Sequence, residues 1–135
     1  MLEAWFIWSG RIGRLAYFGY SILLGVILCV VGLVLLLPTR NSPNGETVTI
    51  VVVILLGAIA LYAGFCLAVK RLHDLDLSGW HYAWMILVPS LFNGIGSAAH
   101  MLAFSIVGSV FSMGVGVYLL FWPGTDGTNN FGYKP

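Results

Sequence analysis

Residues 48–69 read VTIVVVILLGAIALYAGFCLAV, and Lys70 and Arg71 follow at once. The stretch carries no charge and reaches the length of about 20 apolar residues that a helix needs to cross the hydrocarbon core of a bilayer. Residues 15–37 and 101–122 are equally free of charge. The sequence therefore predicts at least three membrane-spanning helices.

Composition places the whole chain among membrane proteins. Hydrophobic residues make up 59% of the sequence and charged residues 8%, and the mean hydropathy is +0.95. Soluble domains carry far more charge, so we exclude a soluble enzymatic or nucleic-acid-binding domain. The longest polar stretches, 38–47 and 123–135, are too short to bury a core of their own. We predict a single integral membrane domain over residues 1–135.

A fourth apolar segment begins at Trp80 but is strongly apolar over a shorter distance. It contains Pro89, and it reaches the length of a span only if it continues to residue 97. A re-entrant or interfacial segment is the alternative. With a fourth span, the predicted fold is an all-α polytopic helical bundle with transmembrane helices over about residues 15–37, 48–69, 80–97 and 101–122.

The positive charges indicate how this bundle is oriented. With four spans, one side of the membrane carries Arg11, Arg14, Lys70, Arg71 and Lys134. The other side carries only Arg40. Because cytoplasmic loops hold the excess of Lys and Arg, we expect both termini and the loop 70–79 in the cytoplasm. Trp5 and Trp80 flank predicted spans and are expected at the level of the lipid headgroups.

Small residues recur at four-residue spacing in three of the spans and predict close helix packing. Such residues let helix backbones approach each other, which is a main source of attraction between helices in lipid. The positions are Ser21 and Gly25, Ala60 and Gly64, and Gly108, Ser112 and Gly116. They are suited either to packing within the bundle or to the contact face of a homo-oligomer.

The chemistry of the chain is expected on the cytoplasmic face, because the three clear spans contain no ionisable residue of the kind that marks ion paths or proton relays. The polar residues gather in three segments, 8–14, 71–80 and 123–132. The candidate ligand-binding or partner-binding residues are Arg11, Arg14, Arg71, His73, Asp74, Ser78, Trp80 and Asn129.

Two interpretations of these residues stay open. Arg11 or Arg14 could pair with Asp74 or Asp76 in a structural clasp, since bidentate contacts between arginine and carboxylate are strong. Alternatively, the guanidinium groups are free to hold a phosphate, such as that of an anionic lipid headgroup. The sequence allows both.

Catalytic and metal-binding arrangements have little support in this pattern. His73, Asp74 and Ser78 could form a base, an orienting acid and a nucleophile, but nothing supplies an oxyanion hole. Ser78 is better interpreted as the N-cap of the third helix. The ligand spacings typical of zinc sites are missing, and we expect neither a metal centre nor another cofactor.

The three polar segments, in this order, resemble the YhaH-like family of small bacterial inner-membrane proteins. The resemblance rests on Ser9, Gly10, Arg11 and Arg14, on Arg71, His73, Asp74, Ser78, Gly79 and Trp80, and on Pro123, Gly124, Thr125, Gly127 and Asn129. This chain differs from the family pattern at Asp76, where glycine is frequent. The resemblance implies a multi-spanning domain of the bacterial inner membrane without an established activity.

The leading hypothesis for function is a binding or scaffolding bundle. Its cytoplasmic polar site would take an anionic phospholipid headgroup or a membrane protein partner. The alternative is a small oligomeric channel or transporter for neutral or apolar cargo, since no intramembrane charge is present. A membrane-face enzyme using His73 and Asp74 ranks third, and we do not expect catalysis.

Overall fold

The computed structural model describes residues 5–41 and 43–133. The chain forms α1 (Arg14–Leu36), α2 (Gly45–Asp74), α3 (Trp80–Ala98) and α4 (Leu102–Phe121), with a short 3-10 helix at Pro38–Asn41. Within the described residues the only β-type pairing is an isolated bridge between Asn129 and Gly132. The predicted all-α helical bundle is confirmed.

Three of the helices, α1, α2 and α4, are long and apolar enough to cross a membrane. α3, with 19 residues, is about 28 Å long, close to the thickness of about 30 Å of a hydrocarbon core. Its apolar run is interrupted by polar residues such as Ser90 and Asn93, and it is not among the candidate spans. The chain is therefore a membrane protein with three clear candidate spans and a fourth helix of similar length.

α3 is one continuous helix that packs antiparallel on α4. Phe92 stacks on Phe104 with ring centroids 5.8 Å apart, and Trp84 meets Phe111 at 6.2 Å further along the pair. Pro89 lies inside α3 without ending it. A re-entrant turn at this position, the alternative that the sequence left open, is thus not what the structure shows.

The closest backbone approach in this hairpin occurs at two glycines. A Cβ atom on Gly108 would lie 2.8 Å from the carbonyl oxygen of Pro89, and one on Gly96 would lie 2.6 Å from the backbone nitrogen of Ser105. Both distances are shorter than a van der Waals contact, so only glycine fits. α3 and α4 can pack this closely because both positions lack a side chain.

The other predicted packing positions do not lie in such contacts. A Cβ atom on Gly25, Gly64 or Gly116 would meet nothing within 4 Å. Ser21 and Ser112 donate hydrogen bonds within their own helices, to the carbonyls of Tyr17 and Gly108. Ala60 is half-buried. Within this chain, the four-residue spacing coincides with a close helix contact at Gly108, and the homo-oligomer face stays a prediction for the other positions.

The core lies near one end of the bundle, around the last turns of α2. Its fully buried side chains include Cys66, Leu67 and Leu72. Trp5 also belongs to the core, because it is buried and donates from Nε1 to the carbonyl of Tyr20 at 3.3 Å. The ring of Trp5 thus packs against other parts of the chain, whereas its level relative to the headgroups stays a prediction.

We expect Gly108→Ala to destabilise the bundle by about 1–3 kcal/mol, because the added methyl group overlaps a backbone carbonyl that cannot move aside. Unfolding in mild detergent, followed by tryptophan fluorescence, measures this. Gly114→Ala in the same helix is the matched control, since its methyl group meets nothing within 4 Å. Equal stability of the two variants would contradict the packing at Gly108.

Candidate functional site: a buried clasp of two arginines and one aspartate

α2 extends beyond its predicted end at residue 69, so Arg71, His73 and Asp74 lie on its last turns and not in a loop. A Schellman motif ends the helix: the N–H groups of Asp76 and Leu77 donate to the carbonyls of His73 and Leu72, at 3.1 and 2.9 Å. This ending fixes the direction in which the polar side chains point.

Asp76 occupies the left-handed position of this motif, with φ of 58°. Glycine adopts that conformation without strain, and Asp and Asn are the next most tolerant residues. Asp76 is also held by Asn130, whose side-chain amide donates to its carboxylate at 3.1 Å.

The carboxylate of Asp74 is the centre of the site. Its Oδ1 accepts from Nε and Nη2 of Arg11 at 3.2 and 3.0 Å, and its Oδ2 accepts from Nη1 of Arg71. The three side chains are 1%, 0% and 5% exposed for Arg11, Arg71 and Asp74. One carboxylate therefore neutralises half of the charge of two guanidinium groups that are almost fully removed from solvent.

Arg71 also joins α2 to the end of α4. Its Nε donates to the carbonyl of Leu119 at 2.7 Å, and its Nη2 donates to the carbonyl of Trp122. The last carbonyls of a helix lack partners within the helix and carry its partial negative charge. A buried cation at this point satisfies two of those carbonyls and is stabilised by them in return.

Arg11 binds the segment that follows α4 (the tail, residues 123–133). Its Nη1 donates to the carbonyls of Gly127 and Gly132 at 2.7 and 3.1 Å, and its Nη2 donates to that of Thr125 at 2.7 Å. With the two bonds to Asp74, all five N–H groups of this guanidinium are used. The tail closes around Arg11 as a ring of carbonyls.

The tail also forms hydrogen bonds with the last carbonyl groups of α2. The backbone N–H of Thr125 donates to the carbonyl of Asp74 at 2.8 Å, and the amide of Asn129 donates to that of His73 at 2.7 Å. The Asn129 side chain then accepts from the N–H of Phe131 at 2.9 Å. We call the assembly of Arg11, Arg71, Asp74 and the tail the clasp.

The imidazole of His73 is packed as a structural group. Its ring stacks on Phe131, with centroids 4.0 Å apart and planes 4° from parallel, and its Nδ1 lies 3.1 Å from the carbonyl oxygen of Gly10. The residue is 9% exposed. His73 thus connects the segment before α1 to the tail.

Gly124 marks the closest approach of the tail to the carboxylate. A Cβ atom on this residue would overlap Oδ2 of Asp74, so no other residue fits without displacing the ion pair. Sequence reasoning named the Pro-Gly-Thr motif but did not select Gly124 or Thr125 as site residues. The signal was the motif itself, since a glycine permits close backbone approach.

Three of the predicted residues lie outside the clasp. Arg14 is exposed at the first position of α1. Trp80 is 83% exposed. Ser78 is half-buried, and its hydroxyl lies 3.3 Å from Nδ1 of His81. The prediction that Ser78 caps α3 is wrong, because Gly79 is the N-cap and no side chain bonds there.

The polar side chains of the clasp have their hydrogen bonds satisfied within the protein. In the part of the chain that the structure describes, every buried side-chain nitrogen and oxygen has a hydrogen-bond partner. Arg11 has no N–H left for a phosphate, and Arg71 is fully buried. Of the two interpretations that the sequence left open, the clasp is the one the structure shows, formed by Arg11 with Asp74 and extended by Arg71.

These features define a polytopic α-helical membrane protein whose helix ends are tied at one side by a buried ionic cluster. Its sequence matches a family model over residues 5–133, which is almost the whole chain. The chain belongs to DUF805, a family of proteins of unknown function. No curated protein and no solved structure matches it.

We expect Asp74→Ala to destabilise the protein by about 3–5 kcal/mol, because it leaves two buried guanidinium groups without a counter-charge. Asp76→Asn is the control: asparagine tolerates a positive φ, and the change at this exposed site should stay within about 0.5 kcal/mol. Denaturant unfolding in detergent compares the two. A mild effect at Asp74 would show that the ion pairs do not hold the tail.

Proposed function

We propose that this protein is a membrane-embedded binding protein that holds the phosphate of an anionic phospholipid headgroup at Arg14. The observation that carries the proposal is the contrast between the arginines at this end of the bundle. The side chains of Arg11 and Arg71 are buried and paired with Asp74 in the clasp. Arg14, in contrast, is exposed, and no described residue forms a hydrogen bond with its guanidinium group. Of the three arginines at this end of the described chain, Arg14 is therefore the one available to a ligand.

A cavity of about 240 Å³ lies beside Arg14. Its lining consists of Gly13, Arg14, Asp74, Pro123, Gly124, Thr125 and Asp126. The charge of Asp74 is already matched by two guanidinium groups, so within this lining only Asp126 opposes an anion. A single anionic headgroup is of suitable charge for such a site.

Two electrostatic features favour an anion at this position. Arg14 opens α1, and no side chain caps the N–H groups of its first turn, where the helix dipole is positive. The guanidinium groups of Arg14 and Arg71 are also close enough to repel each other. A bound phosphate would relieve this repulsion and accept hydrogen bonds from both Arg14 and the backbone.

The position relative to the membrane supports a lipid as the source of the phosphate. Arg14 is the first residue of a helix that is long and apolar enough to cross a bilayer, which places its side chain near the headgroup layer. Basic sites at the ends of membrane helices are suited to anionic lipids. A free phosphate in solution, unlike a headgroup, is not held at the level of Arg14 by the membrane.

The orientation and the cellular membrane are part of the same proposal. The loop asymmetry of Lys and Arg supports a cytoplasmic polar end, although Lys134 lies outside the described residues. The narrower YhaH-like resemblance supports the bacterial inner membrane. Anionic phospholipids are present on the cytoplasmic leaflet, where the proposed site would meet them.

The channel alternative receives less support from the packing. An oligomeric pore along Gly108, Ser112 and Gly116 needs these positions on a free face of α4. Gly108 is already buried against Pro89 and Asn93 of the same chain. Only the Gly116 end of this row is open, so the binding role is the one we retain.

We expect Arg14→Gln to weaken binding of phosphatidylglycerol about fivefold, since one arginine near the membrane surface contributes about 1 kcal/mol to the attraction of anionic lipid. Native mass spectrometry of protein released from nanodiscs, with phosphatidylglycerol titrated into phosphatidylcholine, gives the relative affinities. Arg40→Gln removes the same charge beyond the opposite end of α1 and should leave lipid retention unchanged.

Equal loss in both variants would show that only overall charge matters, and no loss in either would overturn the site. Retention of a defined protein in place of lipid, dependent on Arg14, would also overturn the lipid assignment.

The proposed orientation gives a separate prediction. In intact bacterial cells, a membrane-impermeant maleimide should label Asn44→Cys, in the connection before α2, but not Thr128→Cys in the exposed tail. Thr128→Cys should react only after the membrane is permeabilised. The reverse pattern would place the clasp on the outer side.

A further inference from the structure

A second cavity, independent of Arg14, lies where α1, α3 and α4 meet. Its volume is about 290 Å³. It is lined by Tyr17 of α1, by Tyr82, Met85, Ile86, Pro89 and Ser90 of α3, and by Ser112, Val115, Gly116 and Leu119 of α4. None of these side chains is charged. The cavity therefore combines hydroxyl groups with apolar walls inside the apolar part of the bundle.

Some of the hydroxyl groups that line the cavity are hydrogen-bond donors without a partner among the described residues. No described residue forms a hydrogen bond with the hydroxyl of Tyr82 or of Ser90. The hydroxyl of Ser112, in contrast, donates a hydrogen bond to the carbonyl of Gly108 at 3.0 Å. Because an unpaired hydroxyl in a hydrocarbon environment is unfavourable, the open donors favour a ligand that accepts hydrogen bonds.

Tyr17 of α1 and Tyr82 of α3 line the same cavity. Tyr17 also packs against the core cluster that contains Met85 and Leu119. Donors from α1 and α3 thus converge on one space with a well-packed base. A flat head with acceptor oxygens could bond to both helices at once.

The volume of the cavity and its uncharged lining restrict the class of ligand further. A cavity of about 150 Å³ is enough to hold benzene, so this one has room for a substituted ring or a glycerol ester. The lack of charged lining disfavours an ionic head, because a buried ion needs a counter-charge.

We propose that this cavity binds a neutral, membrane-soluble molecule with a carbonyl-bearing head and an apolar tail. Quinones and diacylglycerols share this chemistry. The head would accept hydrogen bonds from Tyr82 and Ser90 between the walls formed by Ile86 and Val115, and the tail would leave toward the lipid.

Gly116 offers a direct way to test the site. A Cβ atom on Gly116 meets nothing within 4 Å, so Gly116→Leu places its side chain in open space at the cavity. Gly114→Leu is the matched control, since Gly114 is equally open but borders a different cavity, beside Trp84 and Phe111. The two variants add the same volume to the same helix.

The probes are a benzoquinone with a decyl chain, dioctanoylglycerol, and decylbenzene as the analogue without carbonyl groups. Each is titrated into nanodiscs containing the protein, and native mass spectrometry counts the bound molecules. We expect one quinone or one diacylglycerol per chain and weaker binding of decylbenzene. Gly116→Leu should weaken binding at least tenfold, while Gly114→Leu should not change it.

Tyr82→Phe keeps the ring and removes only the hydroxyl. It should weaken the carbonyl probes about two- to tenfold, the range that one hydrogen bond contributes, without affecting decylbenzene. If Gly116→Leu does not fold, Tyr82→Phe alone tests whether the carbonyl probes bind in this cavity. Binding of neither carbonyl probe, or binding unaltered in both Gly116→Leu and Tyr82→Phe, would overturn the proposal and leave a water-filled cavity.

Discussion

The structure depends on one carboxylate, that of Asp74, shared by two buried guanidinium groups. Charges are expensive to remove from water, and a buried group is tolerated only when its hydrogen bonds are complete. Here carbonyl oxygens stabilise the positive charge that the single carboxylate leaves unmatched. Those at the end of α4 bind Arg71, and those of the tail bind Arg11. The helices and the tail must therefore be arranged together, since none can leave without exposing a cation.

This arrangement separates the roles of residues that look alike in the sequence. Arg11 and Arg14 are both arginines ahead of a membrane helix, yet one is sealed and the other exposed. His73 and Asp74 look like a catalytic pair, but the imidazole stacks on Phe131 and the carboxylate faces the arginines. The conspicuous polar motif thus forms the structural support, and the proposed ligand sites lie beside it.

Much of the fold follows from the sequence, because membrane helices are set by uninterrupted apolar length. The helix class and the approximate limits of α1, α3 and α4 were predictable. The continuation of α2 to Asp74 was not, because Lys70 and Arg71 normally indicate the end of a span. The buried guanidinium of Arg71 depends on carbonyl groups at the end of α4, and contacts between segments so far apart leave no local periodic signal.

The same limit applied to the candidate site. Arg11, Arg71, His73, Asp74 and Asn129 come together as one group, and their shared membrane face was the clue. The carbonyl groups of Leu119 and Trp122 carry no sequence signature, since every residue has one. The row of glycines likewise showed where helices could approach, but only Gly108 among those named has a neighbour close enough to require it.

The tail also sets an order on assembly. Arg11 contacts Gly132, 121 residues away in the sequence, so the bonds around its guanidinium group can form only after nearly all of these residues have been synthesised. Until then the first two helices hold buried cations without their full set of acceptors. A segment that follows all four helices in the sequence is thus the one that completes the hydrogen bonds of Arg11.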